Sequence, residues 1–313
     1  MKKILLCLAA AAGVLAVAPK EQAQAQDMGR ALGIFNSIVR PASPAAPTGN
    51  PLGNLLAPAT ASRGGSGDLL QMLMQSVDQI DEPREIEIGR QLAAVLLGSK
   101  PLAPDMRLQR YVNRLGRWIG LQSSRPALPW TFAVLDDPGF NAFAAPGGYV
   151  FVTRGLVERV DEAELAGILA HEISHVTQRH HLQALRARAR AGLATQALAS
   201  QLNSNVGGAV SAQLLALGRD LYSNGLDQGD EFEADRQGVV LAARAGLDPY
   251  GLPSVLQQLR TAAPDNPLFT LSLRTHPAPQ ARLDQLESAM GNRLDAFSGR
   301  PAVPLSQRLA DSR

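Results

Sequence analysis

The chain has 313 residues, 45% of them hydrophobic and 19% charged, which is ample for a folded core. Thirty lysines and arginines against 28 carboxylates leave a net charge of only +2, so charge makes no case for nucleic acid or an anionic membrane as partner. The single cysteine, Cys7, excludes a disulfide framework.

Residues 1–25 have the three parts of a secretory signal: Lys2 and Lys3, an apolar run over 4–18, and the small-residue site Ala23-Gln24-Ala25. Cleavage is expected after Ala25, which places the mature protein in the periplasm. An uncleaved, membrane-associated anchor is the alternative, although the apolar run is short for a span and no transmembrane segment is expected in the mature chain. Cleavage removes three lysines and Glu21, leaving no net charge, and removes Cys7, leaving no thiol nucleophile. Residues 26–67 read as a low-complexity, weakly ordered linker, with prolines at 41, 44, 47, 51 and 58 and the run Gly64-Gly65-Ser66-Gly67. A short amphipathic helix over 28–39 precedes the prolines.

One domain is expected over 68–313. A short helix is predicted over 69–77. Pro83 opens a second, ended by Gly98 and Pro101, and 105–121 forms a third with Leu108, Val112, Leu115 and Ile119 on one stripe. Both longer helices are expected to pack over the catalytic helix. Trp130 to Leu135 and Tyr149 to Val152, rich in aromatic and β-branched residues, read as strands. A short helix follows over 155–160. Asp161 then caps a long helix with Glu164 three residues on, the pattern of a capping box.

That helix carries His171-Glu172-Ile173-Ser174-His175. Residues four apart share a helix face, so the two imidazoles can aim at one metal ion, while Glu172 lies about 100° round the axis, placed for a water rather than the ion. The flanking residues are apolar, and burying two histidines and a glutamate without partners would be costly. A catalytic zinc needs a third protein ligand and an open position. On a straight helix His180 falls opposite His171, so neither it nor His181 can join the pair. A further helix through about residue 202 and another over 210–221 are read as scaffold, with a mobile flap over 186–225 as the alternative. The acidic start of the next helix, Asp230 to Asp235, offers the missing ligand. Glu231 and Asp235 share a face, so one carboxylate can bind the ion and Asp235 can orient a ligand histidine. Glu233 faces elsewhere.

Four ordered blocks carry a resemblance: Asn141-Ala142-Phe143-Ala144-Ala145-Pro146-Gly147-Gly148, the H-E-x-x-H with Val176 to His180, Glu231 to Arg236, and Thr275-His276-Pro277-Ala278-Pro279. They resemble the zinc metallopeptidases of CAAX prenyl endopeptidase, HtpX and BepA type, nearest the periplasmic BepA-like members. The resemblance implies an α+β, mostly helical, zincin-like metalloprotease domain with a small β-sheet beside the H-E-x-x-H helix. It implies one Zn2+ per chain held by His171, His175 and Glu231, Glu172 as general base and Asp235 behind a ligand. His276 near the metal would cover the site or stabilise an oxyanion; from the residues alone it could equally be a residue leading into the helix after Pro277. Asn141, Ala142, Phe143, Gly147, Gly148 and Tyr149 would form a substrate edge strand. The implied activity is a zinc-dependent endopeptidase acting on unfolded or extended polypeptides of the cell envelope, misfolded or stalled, with outer-membrane assembly machinery as candidate partner. BepA-type proteins carry a tetratricopeptide domain after the protease; here a short helix near 279–290 and the end at Arg313 leave no such domain expected. The rival readings are a chaperone-like assembly factor with suppressed proteolysis and a structural zinc protein with four closed ligands.

Overall fold

The computed structural model describes residues 79–199, 220, 223–263, 266–299 and 307. The signal, linker and first short helix expected before residue 79, and the helix expected over 210–221 apart from Asp220, lie outside them. Helix α1 (Glu82–Ser99) starts where Asp81 accepts from the Arg84 amide and Pro83 fits the first turn. Helix α2 (Met106–Gly120) is capped by Asp105, which accepts from the Arg107 and Leu108 amides.

Three strands follow: β1 (Thr131–Leu135), β2 (Ala142–Ala145) and β3 (Tyr149–Thr153), in the order β1-β3-β2. β3 runs parallel to β1, pairing Phe132 with Val150, and antiparallel to β2, pairing Phe143 with Phe151. The stretch expected to form one edge strand is therefore split: β2 folds back on β3 through Pro146–Gly148, and Tyr149 opens β3. Gly147 has φ 76°, and a Cβ there would stand 2.5 Å from Ile86 Cα, so the turn needs glycine on two counts. The buried Glu85 carboxylate accepts the Gly147 amide at 3.1 Å and fastens the turn beneath α1.

Successive strand residues face opposite sides. Phe132, Val134, Val150 and Val152 join the main core with Leu165, Leu169 and Ile173. Ala133, Leu135, Phe143 and Phe151 meet Ala93, Leu96 and Leu97 of α1. α1 thus covers the outer face of the sheet and does not share with α2 a place over the central helix. Its leucines match the outward strand positions, while α2 packs on β1 and the helix behind it.

After the short α3 (Arg154–Val157) comes the central α4 (Glu162–Thr177), begun by the expected capping box: Asp161 accepts from the Glu164 amide, and Glu164 accepts from that of Asp161. Every residue from Glu164 to Val176 is buried. Helices α5 (His180–Ala199), α6 (Gln228–Arg244), α7 (Gly251–Thr261), α8 (Thr270–Thr275) and α9 (Pro279–Met290) complete the described chain. α6 and α7 pack along α4, and β2 and β3 flank it, giving a mostly helical α+β fold with a small mixed sheet. Among the described residues no helix is long and apolar enough to cross a membrane.

Candidate metal centre

α4 and α6 lie side by side, so that His171 and His175 on one face Glu231 on the other. The two Nε2 atoms are 3.0 Å apart, Glu231 Oε2 is 3.6 Å from that of His171, and Glu231 Oε1 is 3.5 Å from that of His175. All three residues are buried. The His171–His175 contact needs one nitrogen to donate. Burial pushes His171 down, but the Asp235 and Glu231 carboxylates beside it outweigh that and raise its pKa to about 9. Burial and the surrounding imidazoles hold His175 well below the usual histidine range. Although burial opposes it, His276, His175 and His171 hold Glu231 ionised, below the ordinary carboxylate range.

Glu231 Oε2 is nevertheless buried with no hydrogen-bond partner. A buried, charged oxygen without a hydrogen bond, 4.0 Å from Arg282 Nη1 and beside two convergent ring nitrogens, is what a metal ion would complete, and the donor atoms lie within 4.8 Å of one another. Two imidazoles and one carboxylate suit zinc with a position left open.

Behind His171 stands Asp235, whose Oδ1 accepts the Nδ1 proton at 2.9 Å and leaves Nε2 to the site. Arg282 of α9, itself buried, holds Asp235 with two bonds, Nε to Oδ2 at 2.8 Å and a terminal nitrogen to Oδ1 at 2.5 Å. Glu172 projects beside the trio, and burial pushes its carboxyl up to about 7 despite nearby His171. His276 closes the other side: its Nε2 is 3.8 Å from Glu231 Oε2, and Thr275 Oγ1 and the Ser272 carbonyl flank its Nδ1 at 3.0 and 3.1 Å.

The cleft against this cluster is lined by Ala142, Phe143, Glu172, His175, His181 and His276 among others. Asn141 sits at the neighbouring opening beside His171 and Glu172, its Oδ1 turned to the Ala142 amide. The first half of the expected edge strand thus comes to the site. Gly147, Gly148 and Tyr149 do not: the turn carries them to the far end of β2, against α1 and Trp130.

The straight-helix premise for His180 and His181 does not hold. α4 ends at Thr177, Arg179 takes a left-handed φ of 60°, and α5 starts in a new direction. His180 is thereby returned to His175, Nδ1 to Nδ1 at 3.0 Å, and the His181 ring centroid lies 5.3 Å from that of His175. Neither belongs to a group of candidate metal ligands among the described residues. Sequence reasoning also missed Arg282. No Gly or Pro marks the break at 178–179, and an arginine on an unremarkable terminal helix carries no periodic signal; only its place six residues after His276 could have drawn notice.

A small sheet flanking a buried H-E-x-x-H helix, with a glutamate supplied by a following helix, is the build of the zincin-like metallopeptidases. Residues 103–290 match the model of Peptidase family M48, and the chain belongs to that family. It is 34% identical over 216 residues to the beta-barrel assembly-enhancing protease of Yersinia pestis, covering 66% of this chain and 43% of that protein. It is 33% identical over 207 residues to the protein of the same name in Escherichia coli K12, covering 64% of this chain and 42% of that protein. Against a mitochondrial metalloendopeptidase of Schizosaccharomyces pombe it is 32% identical over 180 residues, 56% of this chain and 51% of the other. The chain thus spans less than half the length of the two bacterial relatives.

Proposed function

We propose that the protein is a zinc-dependent endopeptidase of the bacterial cell envelope, exported to the periplasm by residues 1–25, with 26–67 as a linker to a protease domain over 68–313. The observation that carries this reading is the buried oxygen of Glu231, without a hydrogen bond, facing the Nε2 atoms of His171 and His175 beside a buried Glu172. His171, His175 and Glu231 would hold one zinc per chain, which when bound supplies Lewis acidity and a water of lowered pKa. Glu172 takes a proton from the attacking water and returns it to the leaving amine; its raised pKa suits both transfers near neutrality. Asp235, held by Arg282, fixes the tautomer of His171. His276, whose ring centroid lies 5.9 Å from that of His171, would meet the developing oxyanion or cover the site.

β2 is an edge strand of the sheet and the one nearest the trio, so an extended substrate can add beside Asn141, Ala142 and Phe143 by main-chain pairing. The cleft beside the trio opens between Ala142 and Phe143 on one side and Gly225, Leu226, Thr275 and His276 on the other. Taken with the export signal, the relatives named beta-barrel assembly-enhancing protease support misfolded or stalled envelope proteins as substrates and outer-membrane assembly machinery as partner.

Purified protein with an unfolded substrate such as casein tests the reading. Glu172→Gln is expected to lower turnover by about two to four orders of magnitude while zinc content is unchanged. Equal turnover by the variant would overturn this reading of the site.

A further inference from the structure

His180 lies outside the H-E-x-x-H motif and outside the metal-ligand trio, yet it is 2% exposed and stacks edge-on against His175, ring centroids 5.1 Å apart. The two rings meet through their Nδ1 atoms at 3.0 Å, while His175 Nε2 faces His171 and Glu231. For Nε2 to offer its lone pair to the site, the His175 proton must sit on Nδ1, and His180 Nδ1 must accept it. The proton of His180 then belongs on Nε2. That nitrogen points toward Asp230 Oδ1 at 3.9 Å and Glu233 Oε2 at 3.7 Å, two acidic groups that favour an N–H there. The chain is bent to make this contact. Arg179 sits in the left-handed region, and its Nε is 3.1 Å from Glu85, a fully buried carboxylate that also binds Arg125 at 2.8 Å.

We propose that His180 is a positioning residue for the metal centre: it fixes the tautomer and ring orientation of His175 as Asp235 does for His171, and the Glu85–Arg179 pair holds the bend that delivers it. The two ligand histidines on α4 are thus backed from opposite directions, by a carboxylate on α6 and by an imidazole on α5. This rests on the proposed zinc trio.

The test is zinc affinity of the purified, metal-stripped protein, measured by chelator competition, alongside thermal melting of the metal-free protein. His180→Leu, which keeps apolar volume and loses the acceptor, is expected to bind zinc about 10- to 100-fold more weakly. His180→Asn sets an amide oxygen where Nδ1 stood and is expected to recover most of that loss. His180→Gln, with its amide one bond farther out, is expected to bind as weakly as the leucine variant and replaces it should that fail to fold. Wild-type affinity in the leucine or glutamine variant would overturn the proposal and leave the trio intact. Equal weakness in the asparagine variant would also overturn it. No zinc binding by the parent protein would instead remove the trio, and this inference with it.

Discussion

Arg282 shows at residue scale how much of the site lies beyond its ligands. Its guanidinium is buried against Asp235, and each group balances a charge that would otherwise be stranded in the protein interior. Removing one member of such a pair costs more than the pair contributes, because the survivor stays desolvated. Arg282→Leu is therefore expected to destabilise the domain by about 3–5 kcal/mol, read from chemical denaturation. Asp235→Asn keeps one acceptor for His171 but leaves the Arg282 charge unbalanced, so zinc affinity and stability are both expected to fall, read from chelator competition and chemical denaturation. Of the residues around the centre, those on the motif helix and the acidic cluster were legible because residues four apart in a helix must share a face. Arg282 and His180 were not, because their positions depend on how separate elements meet.

At element scale, α4 is wedged between neighbours at distances its sequence permits. A Cβ on Gly167 would lie 2.4 Å from the Leu252 backbone nitrogen, so Gly167→Ala must push α7 off α4. That substitution is expected to cost about 1–3 kcal/mol, with a matching drop in melting temperature. At the helix start, Glu164 serves both the capping box and the side chains of Ser254 and Gln258 on α7. Asp161→Ala should cost about 1 kcal/mol, the usual cap value, and Glu164→Ala removes the capping partner together with the hydrogen bonds from Ser254 and Gln258. Most elements were readable in advance: Asp105, Asp161 and Pro83 announced their helices, and β-branched runs announced β1 and β3. β2 was harder, because Ala142-Phe143-Ala144-Ala145 lacks the branched residues that mark strands, and its pairing with β3 rests on a turn two glycines make possible. The bend at Arg179 had no sequence signal, and the Glu85 that pairs with Arg179 comes from another helix.

For the whole molecule, the core of Phe132, Val134, Leu165, Leu169 and Ile173 closes without help from an ion. Chelation is accordingly expected to abolish peptidase activity while leaving a cooperative melting transition, and added zinc at a hundred times its Kd should stabilise the domain by about 2.7 kcal/mol. Unfolding on chelation, seen by circular dichroism, would favour a structural zinc. The two packed layers, sheet against α1 and sheet against α4, follow from strand alternation; the expectation that α1 packs over α4 failed because its leucines meet the outward strand positions, a match that periodicity within α1 alone does not show. The central claim, a zinc held by His171, His175 and Glu231 with one position open, is tested most directly by anomalous diffraction at the zinc edge from crystals of the zinc-loaded protein. The account predicts a single peak within bonding distance of His171 Nε2, His175 Nε2 and a Glu231 oxygen. A peak that excludes Glu231, or one closed by four protein ligands, would contradict it.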